Sequence, residues 1–140
     1  MVENPKTEWL EFLKEGYQCL VSMKPLAFTA ITPSKIPKEA GVYLITALLN
    51  GKEIPYYIGR SKNLRQRIYN NHLMGPISNA RLKKYLNNSG ECPDLASAKK
   101  FIRSFCLVRW IQENDIRNRG VIEGYVTGLL SPKYGIYEEH

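Results

Sequence analysis

Little in this sequence would support a metal cluster or a covalently stapled fold. Its 140 residues include three cysteines, Cys19, Cys92 and Cys106, and two histidines, His72 and His140. The cysteines are odd in number and far apart, so neither a disulfide framework nor the paired spacing of a zinc site is expected, and the pattern fits a reducing compartment. No run of about 18 apolar residues occurs, so no transmembrane helix and no membrane partner are expected. The opening stretch M-V-E-N-P-K-T-E-W is too polar for a secretory signal, and a cytoplasmic location is the expectation. Internal repeats and low-complexity tracts are absent as well. Acidic residues are scarce: 13 stand against 20 basic ones, leaving a net charge of +7 and a pI near 9.4. That excess suits a polyanionic partner, most simply nucleic acid, although the same charge would also serve solubility alone.

What is present centres on the stretch from Gly41 to His72. Two apolar, β-rich runs flank Asn50-Gly51, the strongest short-range hairpin signal a sequence offers. The first run begins Gly41-Val42-Tyr43 and the second, roughly Ile54 to Gly59, ends Tyr57-Ile58-Gly59. Side chains alternate across a sheet, so the parity of the pairing decides whether the two tyrosines share a face. A plain two-residue turn at Asn50-Gly51 sends them to opposite faces. A three-residue loop, or a bulge near Pro55, brings them together. A joint site for Tyr43 and Tyr57 therefore requires one of the latter.

Around this hairpin the pattern predicts helices. Residues 5–22 carry Trp9, Phe12, Leu13 and Leu20 at helical spacing, followed by a connector with Pro25, Pro33 and Pro37. A helix from Ser61 or Asn63 to Asn71 would bury Leu64 and Ile68. On that α-helix Arg67 and Asn71 occupy one edge of the buried stripe and His72 the other. Gly75-Pro76 ends it, and a short basic helix around Ser78 to Leu86 carries Arg81, Lys83 and Lys84. Asp94 is a plausible N-cap for a helix to about Ile102. Phe105 to Ile111 should be a third strand, and a final helix should run from Asn114-Asp115 to Leu130. Its stripe is Ile122, Tyr125, Val126, Leu129 and Leu130, with Glu123 at the margin, where a carboxylate needs a partner or a metal.

These residue types could serve phosphodiester chemistry. Arg67 can make bidentate bonds to a phosphate. Glu123 can hold a hard divalent cation, which keeps several waters and stabilises charge on a leaving oxygen. A tyrosine near pKa 10 is a poor base at neutral pH, and a cation such as Arg60 or Lys62 could lower that value. Each piece also has an ordinary structural reading. Tyr43 and Tyr57 could be half-buried strand aromatics. Arg67 could be solvated, Glu123 could pair with Arg119 one turn earlier, and Arg60, Lys62, Arg65 and Arg67 could form a solvated basic face.

In combination, the order G-V-Y, then Y-I-G, then an arginine eight residues past that glycine, then a late-helix glutamate resembles the GIY-YIG nuclease family. The resemblance runs from about Gly41 to Tyr134. It implies an α+β fold with a small three-stranded antiparallel sheet flanked by helices. Residues 41–140 would form the nuclease-like domain, with a helix and connector in residues 1–40 packed on its core as one compact unit. The implied activity is DNA endonuclease hydrolysis dependent on Mg²⁺ or Mn²⁺. Carried over, Tyr43 matches a general base or water-orienting group, Tyr57 a support for the scissile phosphate, and Gly59 a point of close backbone approach. Arg60 falls where some members place a lysine that tunes the tyrosine. Arg67 matches the phosphate-binding arginine and Glu123 the metal ligand. Lys62, Arg65, Asn71 and His72 complete the expected substrate-binding set.

Two positions depart from the family pattern. Asn71 stands one α-helical turn after Arg67, where histidine or tyrosine is usual; His72, one residue later, could substitute only through a helix irregularity. Gly135 stands twelve residues after Glu123, where some members carry asparagine. A competing expectation is thus a nucleic-acid-binding module with a weakened or inactive site. DNA is the expected partner, with RNA left open. No second DNA-reading module is visible, so specificity would come from loops, a homodimer or a partner protein.

Overall fold

The computed structural model describes residues 2–3, 8–74 and 81–135. Asn50 and Gly51 both adopt positive φ, 52° and 77°, the geometry of a type I′ turn that suits the twist of the flanking strands. The turn joins β2 (Gly41–Leu49) to β3 (Lys52–Ser61), with Leu49 opposite Lys52. From there to Thr46 opposite Pro55, odd positions face even ones. The next pairs are Ile45 with Tyr57 and Tyr43 with Gly59, so odd then faces odd. Tyr56 is the extra residue, and the resulting β-bulge puts Tyr43 and Tyr57 on one face. The bulge lies beside Pro55, the second of the two arrangements that bring the tyrosines together.

Tyr56 holds this irregularity in place. It is 1% exposed, its ring stacks on Phe101 with centroids 5.6 Å apart, and its hydroxyl donates to Glu91 at 2.6 Å. Glu91 also accepts from Lys133 at 2.7 Å and from the Tyr134 hydroxyl, so one carboxylate satisfies three donors around the bulge. Lys133 N–H and Tyr134 N–H donate to the carbonyls of Pro55 and Tyr56 at 3.0 Å each, which lays residues 133–134 against β3.

The sheet has four antiparallel strands in the order β1-β4-β2-β3, where β1 is Leu26–Ala27 and β4 is Cys106–Gln112. The fourth strand beyond the expected three is two residues long, too short to leave an alternation in sequence. Helices cover both faces. On one, Leu20 of α1 (Trp9–Ser22) and Ile122 and Val126 of α4 (Ile116–Leu130) pack on Val42, Leu44 and Ile58. On the other, Leu64 and Ile68 join residues of α2 (Arg81–Asn88) and α3 (Leu95–Phe105) around Tyr43, Ile45 and Tyr56. Asp94 caps α3 through a reciprocal capping box with Ser97, and the Asp115 side chain accepts the Asn118 N–H at the start of α4.

The segment after β3 departs from the expected α-helix. Residues Gln66–Met74 form a π-helix, with hydrogen bonds closing one residue wider than in an α-helix. Leu64 and Ile68 keep their buried places, but the wider coil changes which later residue follows Arg67 on the same side. The basic helix expected around Ser78 to Leu86 appears as α2, starting at Arg81; residues 75–80 lie outside the described residues.

Because Tyr56 is the residue that the bulge inserts and the core encloses, Tyr56→Ala should cost about 3–5 kcal/mol in urea unfolding, the range for deleting a buried aromatic. A loss below about 1 kcal/mol would show that the bulge is anchored elsewhere.

Candidate active site

The bulge matters because β3 is an edge strand, and a cavity of about 450 Å³ opens across that edge. Tyr43 enters it from β2 and Tyr57 from β3, their ring centroids 6.2 Å apart. Arg67 comes from the π-helix on the same face. Glu123, with Gly124 and Thr127, comes from α4, which packs on the opposite face of the sheet and flanks β3. Four separate elements thus bring two phenols, a guanidinium and a carboxylate to one concavity. Arg60, Arg81, Tyr85 and Tyr134 complete much of its wall.

Tyr43 is almost fully buried, and its hydroxyl lies 2.7 Å from Nε2 of the equally buried His72. In the π-helix the residue five places after Arg67 takes the position that an α-helix would give to Asn71. The helix irregularity thereby delivers His72 to the tyrosine. The Asn71 side chain itself lies outside the described residues. Burial, reinforced by the cations of Arg67 and Lys83, pushes His72 down to about 3, so the imidazole is neutral across the physiological range. Its Nδ1 has no hydrogen-bond partner among the described residues.

Burial also raises the Tyr43 phenol well above its ordinary value; the neighbouring Tyr57 adds to this, and Arg67 opposes it without prevailing. The expectation that Arg60 or Lys62 lowers this phenol is therefore corrected. The Tyr43 ring lies directly over Gly59, where a β-carbon would collide with the phenol edge and oxygen. Gly59 thus makes room for a side chain of its own hairpin. Arg60 turns away across α4, its guanidinium filling the space above Gly120, and acts on Glu123.

Glu123 is half-buried. Its carboxyl is raised by burial and pulled back by the Arg60 and Arg81 cations, and no salt bridge to it forms among the described residues. The suggested pairing with Arg119 does not occur: Arg119 donates instead to the carbonyls of Glu113 and Asn114 at 3.1 and 2.9 Å. No group of three His, Cys, Asp or Glu side chains suited to a metal is found among the described residues. One carboxylate among the described residues of an open, polar cavity fits a hard divalent cation that keeps most of its waters, and does not fit a closed structural zinc site.

The remaining expected residues divide. Lys62 lines an adjoining groove together with Arg60 and Arg67. Arg65 is directed elsewhere: its Nε donates to the Ile36 carbonyl at 2.8 Å and its backbone N–H to that of Pro37, tying the connector to the π-helix. Gly135 does line the cavity, against the Tyr57 ring. Sequence reasoning missed Arg81, Tyr85 and Tyr134 as wall residues. The i, i+4 spacing of Arg81 and Tyr85 was the one available signal, since it puts both on one side of α2.

An edge-strand cavity holding these groups on a helix-flanked antiparallel sheet belongs to a recognisable class. The GIY-YIG catalytic-domain model matches residues 39–134, and the chain belongs to that nuclease-domain family. The GIY-YIG N-terminal endonuclease domain of UvrC from Thermotoga maritima is similar to it in two solved structures, both of point mutants bound to the catalytic divalent cation. Each shows 22% identity and a TM-score of 0.40, covering 72% of this chain and 87% of that one. No curated protein matches the chain.

The neutral, buried His72 has a measurable signature. Between pH 6.5 and about 3 the unfolded histidine takes up a proton that the folded one refuses, so stability falls as pH is lowered through that window. The slope approaches about 1.4 kcal/mol per pH unit. His72→Gln should flatten unfolding free energy between pH 6 and 4 by about 1 kcal/mol per unit relative to wild type; identical slopes would contradict the burial of a neutral imidazole.

Proposed function

We propose that the protein is a divalent-metal-dependent endonuclease that hydrolyses phosphodiester bonds of DNA at this cavity. The observation that carries the reading is the meeting of Tyr43, Tyr57, Arg67 and Glu123, from four elements, in one concavity. With Arg60 and Arg81 beside a single carboxylate, the described lining of the cleft has a positive balance suited to a phosphate. Arg67 binds two phosphate oxygens through its guanidinium fork, and the Tyr57 hydroxyl donates a hydrogen bond to the same group. Glu123 holds Mg²⁺ or Mn²⁺, which when bound supplies charge stabilisation at the leaving oxygen.

Tyr43 acts as an orienting group. A phenol raised above its ordinary value stays protonated at neutral pH, so it does not take the proton of the attacking water. The neutral His72 has two tautomers, and the one with hydrogen on Nε2 leaves only a lone pair unpaired at Nδ1. The other would bury an orphan N–H, which is the rarer and costlier arrangement. In the favoured tautomer Nε2–H donates to the Tyr43 oxygen and leaves the phenol O–H free to point into the cavity. Water then attacks phosphorus and gives its proton to solvent, the bond to the leaving oxygen breaks, and that oxygen is protonated from solvent. Gly135 provides no side chain opposite Tyr57, and this is the feature that favours the alternative, a nucleic-acid-binding module with a weakened site.

Purified protein should nick or cleave DNA with Mg²⁺ or Mn²⁺ and stop with EDTA. Glu123→Ala and Arg67→Ala should each lower the rate by at least about a hundredfold, the scale of one charged transition-state contact. Cleavage that survives both changes would sink the assignment, while salt-sensitive DNA binding with no turnover under any metal would establish the binding module. Because the Glu123 carboxyl is raised, it protonates at a higher pH than an ordinary glutamate. In the metal-free protein protons therefore compete with the cation for this carboxylate, so lowering the pH should raise the Mg²⁺ concentration needed for half-maximal cleavage.

A further inference from the structure

Two further depressions adjoin the cleft, each sharing a different pair of its lining residues. The first, of about 430 Å³, shares Arg60 and Arg67 with it and contains Lys62 and Gln66. The second, of about 260 Å³, is lined by Arg81, Lys84, Tyr85 and Asn88, and shares Arg81 and Tyr85 with the cleft. These four residues stand at i, i+3, i+4 and i+7 of α2, which makes them one continuous stripe of the helix. Folding uses a different stripe of α2, because Leu82, Lys83 and Leu86 are the residues it buries. The lining stripe presents two cations, an amide and an aromatic ring. Tyr85 runs parallel to Tyr134 at 5.8 Å, the planes 6° apart, and lies 6.3 Å from Tyr57, so aromatic rings continue from the cleft to this stripe.

We propose that the α2 stripe binds an unpaired stretch of nucleic acid leaving the cleft on one side of the scissile phosphate. Arg81 and Lys84 contact successive backbone phosphates, a base stacks at Tyr85, and the Asn88 amide hydrogen-bonds a base edge. The inference rests on the nuclease reading of the cleft, whose phosphate it puts at one end of the stripe. Charge alone would serve a duplex equally well. The aromatic ring decides between them: stacking requires a base whose own face is bare, and cations interleaved with aromatics are the makeup of single-strand channels. A duplex keeps its base faces inside the stack and offers this ring nothing.

The test is fluorescence anisotropy in EDTA, which prevents turnover, with a short labelled DNA single strand and the same sequence as a blunt duplex. Tyr85→Ala should weaken single-strand binding about tenfold and duplex binding by less than about twofold. Lys84→Glu should weaken single-strand binding about tenfold and lower the slope of log affinity against log salt by about one. Lys24→Glu, the same charge change near the β1 edge of the sheet, should leave binding within about twofold. Equal losses on single strand and duplex from Tyr85→Ala, or equal effects of Lys84→Glu and Lys24→Glu, would overturn the proposal. Should Tyr85→Ala fail to fold, Lys84→Glu and Asn88→Ala, at exposed positions, decide it by the same criteria. A parallel Mg²⁺ cleavage assay separates the two readings. Stripe-dependent binding without cleavage would remove the nuclease and leave the stripe, and normal cleavage with unchanged KM in both variants would do the reverse.

Discussion

One extra residue in an edge strand governs how this cleft is built. The type I′ turn at Asn50-Gly51 commits the hairpin to a register that would aim Tyr43 and Tyr57 at opposite faces. Inserting Tyr56 shifts the far half of β3 by one position, and everything beyond it follows: Tyr57 turns towards Tyr43, Gly59 comes under the phenol, and Arg60 is directed to the opposite layer. A bulge gives up ladder pairing locally. Here the lost pairing is offset by a buried ring, a hydroxyl bound to Glu91 and the backbone bonds of Lys133 and Tyr134.

Charge in the cleft is organised by the two layers. The face carrying the π-helix supplies the phenols, the neutral imidazole and Arg67, while α4 supplies the one carboxylate found there among the described residues. Arg60 crosses between them, and the absence of a side chain at Gly120 gives it room to lie near Glu123. Tyr43 and His72, both desolvated, are held in their uncharged forms, so they shape hydrogen-bond direction and leave the electrostatic work to the arginines and the glutamate.

Much of this was legible in the chain because it depends on local signals. Asn50-Gly51 marks the turn, Asp94 and Asp115 mark helix starts, and the order of Tyr43, Tyr57, Arg67 and Glu123 marks the cleft. Parity left two ways to join the tyrosines, a three-residue loop or a bulge near Pro55, and the chain takes the second. The parts that escaped depend on non-local packing. No composition distinguishes an i→i+5 coil from an α-helix over Gln66–Met74; the burial of His72 against Tyr43, 29 residues earlier in the chain, is the contact that goes with it. Strand β1 exists only through its pairing with β4. Arg65 looked like a member of the basic face and instead holds Ile36, because the connector returns over that helix.

Residues 133–134, laid along β3, have a consequence beyond the cleft. An open strand edge is a template on which another chain can add a strand, and at this edge the carbonyls of Pro55 and Tyr56 are already occupied by the chain's own amides. At the other edge, two-residue β1 is too short to recruit a neighbour. The sheet thus offers less template at both sides by opposite means, brevity at one and partial self-occupation at the other. The same two amides that hold the bulge thereby withhold the carbonyls of Pro55 and Tyr56 from any strand that a second chain could add there.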